Sequence, residues 1–369
     1  MTNVKKVHEP LFHITKRRDP IDWWKAWLIR IASVVAALLV SSVVIMVMTK
    51  QNPFEMYEAM FQGCFGTSRK FWAFLQKTAM LLAIALAVTP AFKMRYWNLG
   101  GEGQVLVGGL ACTACMFYIK DALPNWLLII IMLLASVIAG MIWALVPAVF
   151  KAKWNTNETL FTLMMNYVAI QLVTFSIAVW VPSGSGVLPI LNPETQSGWL
   201  PSLGGQKYLI NIIIVALLTV AMFIYLKFSK HGYEISVVGE SSNTARYIGI
   251  NVKKVIIRTV VLSGAICGLT GFMLVAGDGH TVSSGLAGGN GFTAVLVSWL
   301  AKFNPAVMVL TSLLIVFFQR GAGEIATQFR LDTSISDITT GIILFFIIGC
   351  EFFINYKINV RQNAAKEAK

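Results

Sequence analysis

The chain has 369 residues, of which 56% are hydrophobic and 13% charged. Soluble domains carry about 45–50% apolar and about 25% charged residues, so this composition excludes a disordered chain, a disulfide scaffold and an ordinary water-soluble enzyme. The formal charge of +13 would suggest nucleic acid as the partner of a soluble protein. Here the basic residues fall between apolar runs, which points to a membrane surface and not to nucleic acid.

Stretches free of Asp, Glu, Lys and Arg mark the spans. The first, Ile31–Thr49, holds 19 residues, or roughly 28 Å of helix, close to one hydrocarbon core. It follows 26 polar, basic residues and ends in Val47-Met48-Thr49, without a small-x-small cleavage site. It is expected to be a retained signal anchor. Nine more runs follow: Thr78–Phe92, Gly103–Ile119, Ala122–Phe150, Thr159–Pro193, Leu209–Leu226, Thr259–Gly277, Gly279–Ala301, Phe303–Gln319 and Ile338–Cys350. The second extends back to Phe71, because Lys77 can snorkel, and the last extends to Thr333–Asn355. Ten spans are thus expected. With the N-terminus inside, 22 Lys and Arg fall on the inner side and 8 on the outer, so both termini are read as cytoplasmic. The expected division is an N-terminal tail over 1–26, a transmembrane domain over 27–355 with a long inner loop at 229–258, and a C-terminal tail over 356–369. The five cysteines lack metal-ligand spacing, and four sit in or at the end of apolar runs as small hydrophobes.

Four segments carry more than a connection. The outer stretch Pro182–Gln206 has four prolines and cannot be one helix; it is a surface loop or a platform for an external partner. After the second span comes Asn98-Leu99-Gly100-Gly101-Glu102-Gly103-Gln104. A carboxylate and two amides at the edge of an apolar run should face protein or water, as a pathway lining or as a capped helix start. No strand precedes these glycines, so they are not a dinucleotide fingerprint. Asn166 lies near the middle of the fifth span, where it lines a pathway or makes an interhelical hydrogen bond; the expectation is that it borders the pathway while Glu102 braces a helix start. In the long inner loop, Ser241 or Ser242 can cap a short helix and Gly249 can close it. Gly239, Glu240, Ala245, Arg246 and Ile250 belong to that segment, which is a basic connector or a docking surface.

A second Gly-rich stretch, Gly285-Leu286-Ala287-Gly288-Gly289-Asn290-Gly291-Phe292, mirrors the first. Each falls near the start of the third helix of a five-helix half, and an odd number of spans per half inverts the second half.

The segment 98–104 resembles the Asn-Ile-Gly-Ala-Glu-Gly-Gln signature of nucleoside and simple-sugar ABC importer permeases, relatives of the ribose and branched-chain amino acid permeases. Leu99 and Gly101 are mild departures. Asn157-Glu158 with Met165-Asn166-Tyr167, Gly239 with Ala245 to Asn251, and Gly288 to Phe292 with Asn304-Pro305 resemble further family segments. The resemblance spans about residues 50–355. It implies an all-α polytopic membrane protein of the ten-helix, inverted-repeat, vitamin-B12-permease-like type. It implies a multi-pass permease subunit in a bacterial plasma membrane, working with a second permease, a cytoplasmic ATPase and an extracytoplasmic substrate-binding protein or lipoprotein. ATP and magnesium would sit on the ATPase; this chain, which is not itself an enzyme, has no Gly-x-x-x-x-Gly-Lys motif and no cofactor of its own. Asn98, Glu102, Gln104, Asn166 and Asn290 would line or brace the pathway. Gly239, Glu240, Ala245, Arg246, Gly249 and Ile250 would couple it to the ATPase. The alternative is an ion-coupled secondary transporter, for which Glu102 is the obvious intramembrane carboxylate. No His/Cys/Asp cluster or activated nucleophile supports a membrane enzyme.

Overall fold

A computed structural model of the chain describes residues 12–17, 21–49, 52–119, 122–181 and 186–360. The described chain is mostly helical. In order it forms α1 (Trp23–Thr49), α2 (Pro53–Phe65), α3 (Ser68–Lys93), α4 (Gly101–Tyr118), α5 (Asn125–Trp154), α6 (Glu158–Trp180) and α7 (Leu209–Phe228). There follow α8 (Lys230–Glu240), α9 (Ser242–Tyr247), α10 (Val252–Leu274), α11 (Asn290–Leu300), α12 (Pro305–Gln328) and α13 (Thr333–Asn355). Among the described residues eight helices are long and apolar enough to cross a membrane: α1, α3, α5, α6, α7, α10, α12 and α13. The helix α3 begins at Ser68, on the far side of Lys77, and α13 covers Thr333–Asn355, as expected.

Two runs are not the continuous spans that their composition predicts. The run 159–193 is helical only to Trp180. The run 279–301 breaks: α10 ends in a π turn over Val275–Gly279, an irregular stretch follows, and helix resumes only at Asn290. Hydropathy counts side chains and is blind to this break. The backbone there needs Gly288 at φ +60° and Gly289 at φ +75°, a region that glycine enters freely.

The chain divides into two compact units, residues 1–63 with 321–369 and residues 64–320. In the first, α1 packs along α13, and Arg30 donates to Glu351 at 2.8 Å. The Tyr57 hydroxyl donates to the Leu38 carbonyl at 2.6 Å. Strand β1 (Phe12–Lys16) pairs antiparallel with β2 (Tyr356–Val360), Phe12 opposite Val360. This small sheet joins parts of the two segments read as the N- and C-terminal tails.

The second unit is built around α3, α4, α5 and α10. Small residues let these helices approach to backbone contact. A Cβ on Gly140 of α5 would lie 2.3 Å from the Gly264 carbonyl oxygen of α10, and one on Gly268 would lie 2.2 Å from Ser136 O. In lipid such contact supplies the dispersion and packing that hold helices together, since apolar burial drives little there. We expect Gly264→Val to force α5 and α10 apart at a cost of about 1–3 kcal/mol or more. The loss of monodisperse protein in detergent and a lowered melting temperature measure it; a variant as stable as the parent would show that the contact can relax.

Candidate functional site

The site grows from the turn after α3. The chain leaves that helix at Lys93, and Arg95 adopts φ +59°. The Tyr96 amide donates back to Ala91 O at 2.9 Å. This tight turn delivers Asn98 into the interior, fully buried. Its Oδ1 accepts from the Gly100 amide at 3.1 Å and from Gln104 Nε2 at 3.4 Å, and its Nδ2 donates to Ser263 Oγ of α10 at 3.0 Å.

Helix α4 then starts without a capping side chain of its own, at Gly100. The free amides of its first turn need acceptors from elsewhere. Asn166, two turns into α6, supplies one. Its Oδ1 accepts from the Gly103 amide at 2.8 Å, and its Nδ2 donates to the Leu99 carbonyl at 2.8 Å. Thr162, one turn earlier on α6, accepts from the Leu99 amide at 3.2 Å. The side chain expected to border a pathway therefore also braces α6 against α4.

Glu102 makes the longest link. Its Oε1 accepts from the Gly289 amide at 2.9 Å and its Oε2 from the Gly291 amide at 2.8 Å. Helix α11 also lacks a capping side chain of its own, so the carboxylate caps it from the opposite Gly-rich stretch. Two charge-assisted bonds and the positive end of the α11 dipole hold the anion. The contact has no room for more: a Cβ on Gly291 would lie 2.5 Å from the Glu102 amide. Gln104 is buried beside the cluster, and its Oε1 has no hydrogen-bond partner among the described residues. Asn290 opens α11, half-buried.

The inner segment forms a second constellation. The Ser241 hydroxyl caps α9 by accepting from the Thr244 amide at 3.2 Å. At the other end the Gly249 amide donates to Arg246 O at 3.0 Å and the Ile250 amide to Ala245 O at 2.9 Å. These paired bonds and Gly249 at φ +85° form a glycine-closed helix end. Ala245 is buried, whereas Tyr247 is 91% exposed. On α8, a Cβ at Gly239 would lie 2.2 Å from the Lys93 carbonyl oxygen. That places α8 hard against the end of α3, one residue before the helix ends at Glu240.

At the opposite end of the unit lies a cluster that the sequence did not mark. Trp199 stacks on His280 with centroids 3.7 Å apart and planes at 4°. The Leu200 amide donates to Ala276 O at 2.9 Å, the Leu191 amide to His280 O at 3.0 Å, and the Gly198 amide to Asn125 Oδ1 at 2.8 Å. The described part of the proline-rich loop is thus a fixed strap over the ends of α5 and α10. Among the described residues no group of three or more His, Cys, Asp or Glu could hold a metal ion.

These contacts give two expectations. Glu102→Leu strands two amides at about 1–3 kcal/mol each and should cut the yield of folded protein, with Glu102→Gln intermediate. Asn166→Leu strands the Gly103 amide and the Leu99 carbonyl and should cost as much as Glu102→Leu. Full yield with altered transport in Asn166→Leu would instead make its amide a contact for cargo.

The amino-acid sequence matches the family described as branched-chain amino acid transport system / permease component over residues 71–348. It is 26% identical to a glucose ABC transporter permease protein of Haloferax volcanii over 93% of this chain and 92% of that one. It is 27% identical to the nucleoside ABC transporter permease protein NupB of Lactococcus lactis subsp. cremoris, over 93% of this chain and 94% of the relative. A guanosine ABC transporter permease protein of Bacillus subtilis is 26% identical over 84% of this chain and 89% of its own. A polytopic helical chain, two Gly-rich helix starts joined by Glu102 and a family match across the whole of that core have one reading: the chain belongs to the ABC importer permeases of the branched-chain amino acid permease family, as a multi-pass membrane subunit.

Proposed function

We propose that this permease subunit carries a neutral polar solute, a nucleoside or a simple sugar, inward across a bacterial plasma membrane. ATP hydrolysis on a separate cytoplasmic subunit drives it. The observation that carries the reading is the state of the one carboxylate in the polar cluster: both Glu102 oxygens accept backbone amides. The cluster therefore offers amides and hydroxyls but no free charge to clamp an ionic cargo. A neutral solute fits such a lining, and relatives named for glucose, nucleosides and guanosine point the same way. Asn98, Glu102, Gln104, Asn166 and Asn290 border the pathway as its braced wall. A secondary transporter would need a carboxylate free to load and release an ion, and the bonds to Gly289 and Gly291 leave Glu102 little freedom to do so.

The remaining parts follow from this reading. Residues 237–251 dock on the ATPase, with Tyr247 protruding and Gly239, Glu240, Ala245, Arg246, Gly249 and Ile250 shaping the segment. A second permease subunit completes the pathway, and a substrate-binding protein or lipoprotein meets the strap at 186–206. The transmembrane domain spans residues 27–355 with ten membrane-crossing segments in two inverted halves, α4 and the broken 275–300 segment included. Both tails, 1–26 and 356–369, face the cytoplasm.

Uptake of labelled nucleosides and sugars into vesicles tests the reading. Transport should require ATP and persist with an uncoupler; dependence on the ion gradient would reverse the assignment. Gly249→Val forces a β-branched residue to φ +85°, at about 1–3 kcal/mol of local strain. It should abolish ATP-driven uptake at unchanged membrane level. A cysteine placed at Thr195 should label from outside and one at Asn243 should not.

A further inference from the structure

Beside α9, three elements converge on a cleft of about 570 Å³. Its walls are the turn after α3, the end of α5 with the start of α6, and the α8–α9–α10 segment. Lys151 of α5 is neutralised there by Glu158 at 2.7 Å. Four further cations line the same cleft, namely Arg95, Lys153, Arg246 and Lys253, and all four are exposed. Glu240 is the only other carboxylate in the lining. Among the described residues no salt bridge neutralises any of the four. At the wall Tyr96 is 3% exposed, and its hydroxyl has no hydrogen-bond partner among the described residues.

Basic residues at an inner membrane face are expected in general, but the positive-inside bias sets only their side. It does not gather four from separate elements into one concavity, and it does not place them next to a protruding docking helix. Backbone geometry does the gathering. Arg95 sits at φ +59°, and the left-handed Asn155, at φ +52°, ends α5 two residues after Lys153. Both segments turn sharply and leave their cations on the cleft. Lys253 stands in the first turn of α10, just beyond the capping Asn251. Like charges lining one cleft repel one another and raise the local positive potential. An anionic surface entering the cleft relieves that repulsion.

We propose that this cleft receives an acidic segment of the cytoplasmic ATPase subunit, as an electrostatic contact separate from the apolar seat of α9. The inference rests on the docking reading above and adds a partner chemistry to it. The two contacts have different tasks. Tyr247 and Ile248, both largely exposed, supply apolar area that slows dissociation. The four cations steer the encounter and fix its register, and they act mainly on the association rate.

The test uses the full-length chain in nanodiscs of neutral phosphatidylcholine, with its ATPase subunit as the probe. Lys153→Glu combined with Lys253→Glu changes two exposed charges outside α9 and leaves Tyr247 in place. At low salt the association rate should fall on the order of tenfold. Near about 1 M salt, where screening shrinks to about 3 Å, parent and variant should converge. Tyr247→Ala should instead speed dissociation by a factor that salt does not change. If the double variant associates like the parent at low salt while Tyr247→Ala weakens binding, the acidic contact is refuted and the docking reading stands. If both variants bind like the parent, the ATPase docks elsewhere and both ideas fall. If the parent captures the ATPase only in discs containing phosphatidylglycerol, the cleft serves lipid headgroups, and the proposal is overturned. Elution profiles matching the parent's establish that each variant is folded.

Discussion

Two carboxylate oxygens and two backbone amides hold the permease core in register. Glu102 leaves the first turn of α4 and caps α11, which lies 187 residues away in sequence. Both helices begin on glycines that supply no cap, and in a membrane an uncapped amide has no water to turn to. The carboxylate solves this for α11, and the Asn166 amide solves it for α4. The two Gly-rich stretches are thus complementary parts of one joint. Glycine is needed at position 291 because the backbones approach too closely for a Cβ.

Around this joint the physics differs between helix pairs. The α5–α10 contact is made of backbone against backbone, at Gly140, Gly264 and Gly268. It has no side-chain freedom to absorb a shift, which makes the pair a rigid post. The α6–α4 contact adds three side-chain hydrogen bonds through Thr162 and Asn166 to the close approach of Gly103 to Asn166. Such bonds can exchange partners at lower cost than a close-packed glycine seam can separate.

The helical spans were legible because lipid imposes a composition that counting detects. So were the Ser241 cap and the Gly249 stop, since both act within a few residues of themselves. Glu102 could be read as a helix brace from its place beside free amides, but the helix it caps could not. The acceptors and donors at Gly289, Gly291 and Ser263 are joined to 98–104 only by the fold. The partners of Asn166 were hidden for the same reason: its position near mid-span marks it as costly in lipid, and nothing local says that Leu99 and Gly103 bond it. The broken run 279–301 is apolar enough to count as a span, although its backbone is irregular through Gly288 and Gly289. The β1–β2 pair and the Trp199–His280 stack likewise join residues far apart in sequence, where neither composition nor periodicity carries a signal.

The inner constellation and the polar joint share a segment of chain. Gly239 sets α8 against the Lys93 carbonyl, and Lys93 ends α3. Five residues later Asn98 enters the joint, held to Ser263, and Glu102 follows within a turn. In the proposed importer, force applied to α8–α9 by the ATPase would reach the end of α3 through a backbone contact too tight to slip. From there it would act on the 94–100 turn, whose Arg95 already occupies a left-handed conformation. The joint answers through hydrogen bonds that can re-pair. A stiff input that ends on an exchangeable polar contact can hold two states, and remote ATP chemistry can shift the balance between them. On this argument the invariant requirement at position 239 is the absence of a side chain, because any Cβ there would separate the lever from the joint it drives.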